Sequence, residues 1–104
     1  MANYVFAYSG GKGVAADEAE RQAQYAKWGQ WFDELGSAVV DGGAATGTAK
    51  TVGPGGSVSH GGSHGLSGYS IVSADSLDSA VELAKGCPVL EIGGAVDVYE
   101  AIAM

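Results

Sequence analysis

The sequence predicts an α+β domain in which two β-α-β halves share one sheet. Three observations carry this expectation. Leu66–Met104 reads as strand, helix and strand, Asn3–Asp41 repeats that order, and a stretch rich in Gly, Ser and Thr, Gly42–Gly65, separates the two. A chain of 104 residues is long enough for one two-layer core and too short for two.

Each element has a local reason. Asn3–Tyr8 alternates Tyr4, Phe6 and Tyr8 with Val5 and Ala7, apolar on both faces, as in a central strand. Ser9–Gly13 turns the chain into a helix over Asp17–Leu35. Its strongest apolar face is Tyr25, Trp28, Phe32 and Leu35, with Trp31 at the edge, and Gly36 ends it. Ser37–Asp41 is a short strand carrying Val39 and Val40. Within Gly42–Gly65 only Lys50–Val52 has a strand pattern, and the remainder reads as a loop longer than a compact domain holds without a reason. Leu66–Ser73 sets Tyr69 and Ile71 on one side and Leu66 and Val72 on the other. Asp75 or Ser76 caps a helix whose stripe is Leu77, Ala80, Val81 and Ala84, and Gly86 and Pro88 stop it. After Gly93-Gly94, Val96, Val98 and Ile102 alternate with Asp97 and Tyr99 as a last strand. This order is the split β-α-β, ferredoxin-like plan, an antiparallel sheet with both helices on one face. The other face, expected to carry Tyr4, Phe6, Tyr8, Tyr69 or Ile71, needs a cover. A second copy packed sheet to sheet supplies it, so a homodimer is expected.

Charge narrows the partners. A net charge of −7 with five Lys and Arg residues offers no basic stripe for nucleic acid or an anionic membrane surface. No apolar run approaches the ~20 residues that span a bilayer, which leads to the expectation of a soluble, cytoplasmic protein. The single Cys87 has no internal disulfide partner and reads as a packed thiol.

Five features bear on chemistry. Gly11–Ala16 follows a strand and opens a helix in the outline of a dinucleotide fingerprint, with Asp41 ending the next strand. In a split β-α-β sheet a third strand separates those two strands, so the stretch reads as a Gly-rich turn, with a modest anion site at the helix start as its functional version. His60 and His64 in SHGGSHG are solvated loop histidines or acid–base groups; spacing supplies no third metal ligand, and neither a metal nor a cofactor is expected. Asp41, at a strand end before Gly42-Gly43, is a turn residue or a cleft base. Lys50 holds an anion or decorates an edge strand. Tyr8, Trp28, Trp31 and Tyr69 are core, dimer interface or the wall of a site for a ring. No nucleophile elbow, thiol pair, HExxH or P-loop lysine is present.

WxxWFDELGSAVVDGG at Trp28–Gly43, GLSGYSIVSADSLDSAVELAKGCP at Gly65–Pro88 and GGAVDVYEAI at Gly93–Ile102 together resemble the YCII-related family, also called the DGPF domain, over nearly the whole chain. The resemblance implies a ferredoxin-like fold and face-to-face dimers related to the dimeric α/β barrels. In some relatives a His and an Asp are proposed as an acid–base pair in a cleft next to the sheet. Here the first helix and second strand have no His, and SHGGSH at Ser59–His64 lies in the region of the DGPF phrase. The expectation is a cleft that binds, and turns over by acid–base chemistry, a small organic acid, lactone or phenolic compound. Asp41 serves as base, His60 or His64 as proton relay, Lys50 as anion holder, and Trp28 or Tyr69 as wall. The rival expectation is a non-catalytic dimeric protein-interaction module. It uses the same aromatics as interface.

Overall fold

The computed structural model describes residues 2–10, 17–61 and 65–102. Four strands form the main sheet, β1 (Ala2–Gly10), β2 (Val39–Ala45), β5 (Leu66–Ala74) and β6 (Gly94–Glu100), in the spatial order β2-β5-β1-β6. Every neighbouring pair is antiparallel. Helices α1 (Glu18–Leu35) and α2 (Leu77–Ala84) connect β1 to β2 and β5 to β6. Each β-α-β unit therefore skips one strand, since β5 lies between β1 and β2, and β1 between β5 and β6. This mixed α+β arrangement is compatible with the ferredoxin-like plan.

Side-chain alternation decides which sheet face the helices cover. Tyr4, Phe6 and Tyr8 of β1 and Ser70, Val72 and Ala74 of β5 point to the helix side and are buried. The expectation that Tyr4, Phe6 and Tyr8 belong to the open face is thus corrected, because the helices need the larger rings to fill the space between layers. The open face carries Val5, Ala7, Tyr69 and Ile71, all half-buried, and Tyr99, which is exposed.

The long helix is rotated from its expected setting. Trp31 is the buried residue of α1, whereas Tyr25 is 60% exposed and Trp28, Phe32 and Leu35 pack at the margin of the core. Trp31 wins the central place because its ring stacks on Phe6 while its Nε1–H donates to the Leu83 carbonyl of α2 at 3.2 Å, so one side chain joins both helices to the sheet. Asp17 caps α1 by accepting from the Ala19 N–H, and Gly36, at φ 56°, lets its own N–H reach the Phe32 carbonyl and end the helix. Ser76, rather than Asp75, caps α2, accepting from the Ser79 N–H at 3.1 Å.

The stretch read as a loop is more ordered than its composition implies. β2 runs on to Ala45, and Lys50–Val52 (β3) pairs with Val58–His60 (β4) in a separate two-stranded hairpin. Pro54-Gly55-Gly56 makes its turn, and the Gly61 N–H donates to the Ala49 carbonyl at its base. Only two strands with few apolar residues stand here, so alternation could not reveal β4. The strand residues of the hairpin are exposed except Thr51, which is half-buried. At the other end of the chain, β6 stops at Glu100, which leaves Ile102 80% exposed instead of buried in the strand.

Candidate functional site

A cavity of about 420 Å³ opens between the middle of α1 and the sheet. Tyr25, Trp28 and Phe32 form its helix side, Tyr8 and Ser70 its sheet side, and Gly42–Ala45 with Ser67–Gly68 its far wall. Val89 and Ile92 close the end nearest β6. The aromatic wall follows from the rotation of α1: with Trp31 in the core, Trp28 lies against Tyr8, ring centroids 4.9 Å apart and nearly perpendicular. Such edge-to-face pairs contribute roughly 0.5–1.5 kcal/mol beyond area burial and hold both rings in fixed orientation.

The polar part of the wall includes a chain of three groups, besides Gln24 and Ser67. The Tyr8 hydroxyl donates to Ser70 Oγ at 2.8 Å, and Ser70 Oγ donates to the Gly42 carbonyl at 2.8 Å. Burial pushes the Tyr8 phenol well above its ordinary range, against the smaller lowering by its bond to Ser70. Gly42 sits in an irregular part of β2, where the register with β5 shifts between Val39 and Asp41 and again between Asp41 and Ala44. Gly43 has φ 76°, and a Cβ there would collide with the Tyr69 carbonyl oxygen. Only glycine allows β2 and β5 to approach this closely while the bulge turns the Gly42 carbonyl toward Ser70.

Of the residues expected to form the site, Trp28 lines the cavity as a wall. Tyr69 also borders it, by its main chain, since its side chain lies on the opposite sheet face with Ala7. Asp41 is on that opposite face too, paired with Ile71; its Oδ1 accepts from the Gly43 N–H at 2.8 Å, so its carboxylate braces the bulge from outside the cavity. Lys50 and His60 face each other across β3 and β4, both exposed, and do not line the cavity. His64 and the Gly11–Ala16 stretch lie outside the described residues. Sequence reasoning missed Ser70, although a signal existed. It is the one hydroxyl on a strand face otherwise made of Gly68, Val72 and Ala74.

Among the described residues the charged groups of the cavity are Lys27 and Glu91, which pair at 3.4 Å with both side chains well exposed. A pair in that setting is worth about 0–1 kcal/mol. A second, more open groove of about 520 Å³ lies on the other side of that pair, above buried Cys87, bordered by Lys27, Glu34, Lys85 and Glu91. Lys85 is also paired, to Glu82 at 2.8 Å, and burial pushes the Cys87 thiol up to about 11, which keeps it protonated at neutral pH. Among the described residues no group of His, Cys, Asp and Glu is placed to hold a metal ion, and no helix is long and apolar enough to cross a membrane. The ring-walled cavity, the less open of the two, is therefore the candidate site. In comparisons with known proteins, no family model and no curated protein matches the chain.

Proposed function

We propose that this chain is a cytoplasmic, homodimeric protein of the YCII-related type that binds a small, mainly apolar ring compound, phenolic or lactone, between α1 and the sheet. The observation that carries the reading is the composition of the cavity wall: Tyr8, Trp28 and Phe32 offer ring faces, and Tyr8–Ser70–Gly42, with Gln24 and Ser67, offers a few neutral polar groups. This matches the general make-up of small-molecule sites, apolar walls with a few placed polar groups. Binding is favoured over turnover because Glu91 is the only carboxylate along the wall among the described residues, and it is paired with Lys27. An acid–base role for Asp41 would need its carboxylate to leave the Gly43 N–H. The homodimer is supported by the apolar open face, where Val5, Ala7, Ile71 and Tyr99 lie opposite the helix layer. A buried, free Cys87 suits a reducing compartment.

The test is a thermal-shift screen of the purified protein against phenols, lactones, small carboxylates and nucleotides. A ligand at 100 times its Kd adds roughly 2.7 kcal/mol, on the order of 10 °C for a domain of this size. The reading expects such a shift from a ring compound and its loss in Trp28→Ala. No shift from any ring compound contradicts it.

A further inference from the structure

We propose that the cavity selects ligands that donate a hydrogen bond, so that phenols and N–H heterocycles are its ligand class and lactones, aryl ethers and carboxylates are not. The inference rests on the ring-binding reading above and sharpens it. Its basis is the direction of the Tyr8–Ser70–Gly42 chain, which the chemistry of its last member fixes. A main-chain carbonyl has no hydrogen to give. At 2.8 Å from Ser70 Oγ, the Gly42 oxygen therefore accepts, and the single hydroxyl hydrogen of Ser70 is committed to it. Ser70 can then meet Tyr8, also at 2.8 Å, only as an acceptor, so the one hydrogen of the phenol is committed in turn. What Tyr8 has left for the cavity is lone-pair capacity alone.

Three further features hold this polarity in place. Ser70 is fully buried, so its hydroxyl hydrogen stays on the Gly42 carbonyl and fixes the direction in which Tyr8 bonds to it. Burial keeps the phenol protonated far above neutral pH, so its hydrogen remains on Ser70. The Gly42 carbonyl is itself held by the irregular β2 backbone, with Asp41 bracing the Gly43 N–H from the other face. A ligand O–H or N–H placed against Tyr8 completes a hydrogen bond. A ligand carbonyl or ether oxygen there faces lone pairs and loses its water without replacement. A carboxylate fares worst, because among the described residues the cation along the wall, Lys27, is paired with Glu91.

The experiment compares phenol, methoxybenzene, benzoate and γ-butyrolactone by titration followed through tryptophan fluorescence, with Tyr8→Phe and Ser70→Ala beside the unaltered protein. In the unaltered protein phenol should bind about tenfold tighter than methoxybenzene, the size expected of one hydrogen bond against an unpaired oxygen. Tyr8→Phe should bring the two within about twofold by weakening phenol alone. Ser70→Ala frees the Tyr8 hydrogen to turn into the cavity, so methoxybenzene and γ-butyrolactone should gain relative to phenol. Equal binding of phenol and methoxybenzene by the unaltered protein overturns the inference while leaving the ring-binding reading in place. So does a preference for benzoate or γ-butyrolactone. If none of the four binds, both fall. The ligand series on the unaltered protein decides the matter even if a variant fails to fold.

Discussion

The cavity beneath α1 and the β3–β4 hairpin hold most of the residues that composition singles out, and they are built in opposite ways. In the cavity, rings and hydroxyls are buried, mutually oriented and neutral. On the hairpin, Lys50, Val52, Val58 and His60 share one exposed face of two short strands. An isolated two-stranded hairpin is marginal in water, and its side chains gain little orientation from neighbours. Specific recognition needs groups held in place before the ligand arrives. The comparison teaches that Lys50 and His60, two of the titratable residues the sequence singles out, stand on an exposed hairpin, while the preorganised site is made from Tyr, Ser and Gly.

The sharpest way to break that comparison is to remove its central ring. Trp31→Ala should lower unfolding free energy by ~3–5 kcal/mol in urea, since it leaves a cavity in the core and the Leu83 carbonyl without its donor. Next comes the bulge. Gly43→Ala should cost on the order of 2–3 kcal/mol, through positive φ and the collision with the Tyr69 carbonyl, and should abolish phenol binding as the wall shifts. Raising the pH should then weaken the buried layer beneath the helices, to which Cys87 and Tyr8 both belong. Cys87 and Tyr8 both have folded pKa values above their unfolded ones, so protons stay bound more tightly in the native state. Stability is full below about pH 9 and falls as pH rises, Cys87 contributing between 9.0 and about 11 and Tyr8 from 10.0 upward. In urea titrations at pH 8 and pH 10, Cys87→Ala should show a smaller difference than the unaltered chain; an equal difference would remove Cys87 from the account. The smallest effects belong to the hairpin, where Val52→Ser and Val58→Ser should each change stability by less than about 0.5 kcal/mol, because both side chains are more than half exposed. Asp41→Asn should leave phenol affinity unchanged, since an amide oxygen still accepts from Gly43; a loss of binding would bring the carboxylate into the site.

The same contrast explains what the sequence disclosed. Element order, the Asp17 and Gly36 helix ends and the β5–α2–β6 half are legible because apolar periodicity and end signals act locally. The rotation of α1 is not, since Trp31 and Trp28 are both apolar on neighbouring faces and only the distance to Phe6 and Leu83 chooses between them. The β2 bulge is hidden for a related reason: Asp41-Gly42-Gly43 reads as the end of a strand, whereas pairing with β5 carries the strand through it to Ala45. The ring of Trp28 is conspicuous in the sequence, which leaves core, interface and wall open for it. The Tyr8–Ser70–Gly42 chain needed three segments far apart in sequence to meet, and no local pattern records such a meeting.

The most direct test of the account is a ¹⁵N-correlation NMR titration of the labelled protein with phenol. The account predicts shifts at the amides of Gly42–Ala45 and Ser67–Ser70 and at the Trp28 indole N–H, with Lys50–Val52 and Val58–His60 unmoved. Shifts concentrated on the hairpin, with Ser70 and Trp28 unmoved, would contradict it.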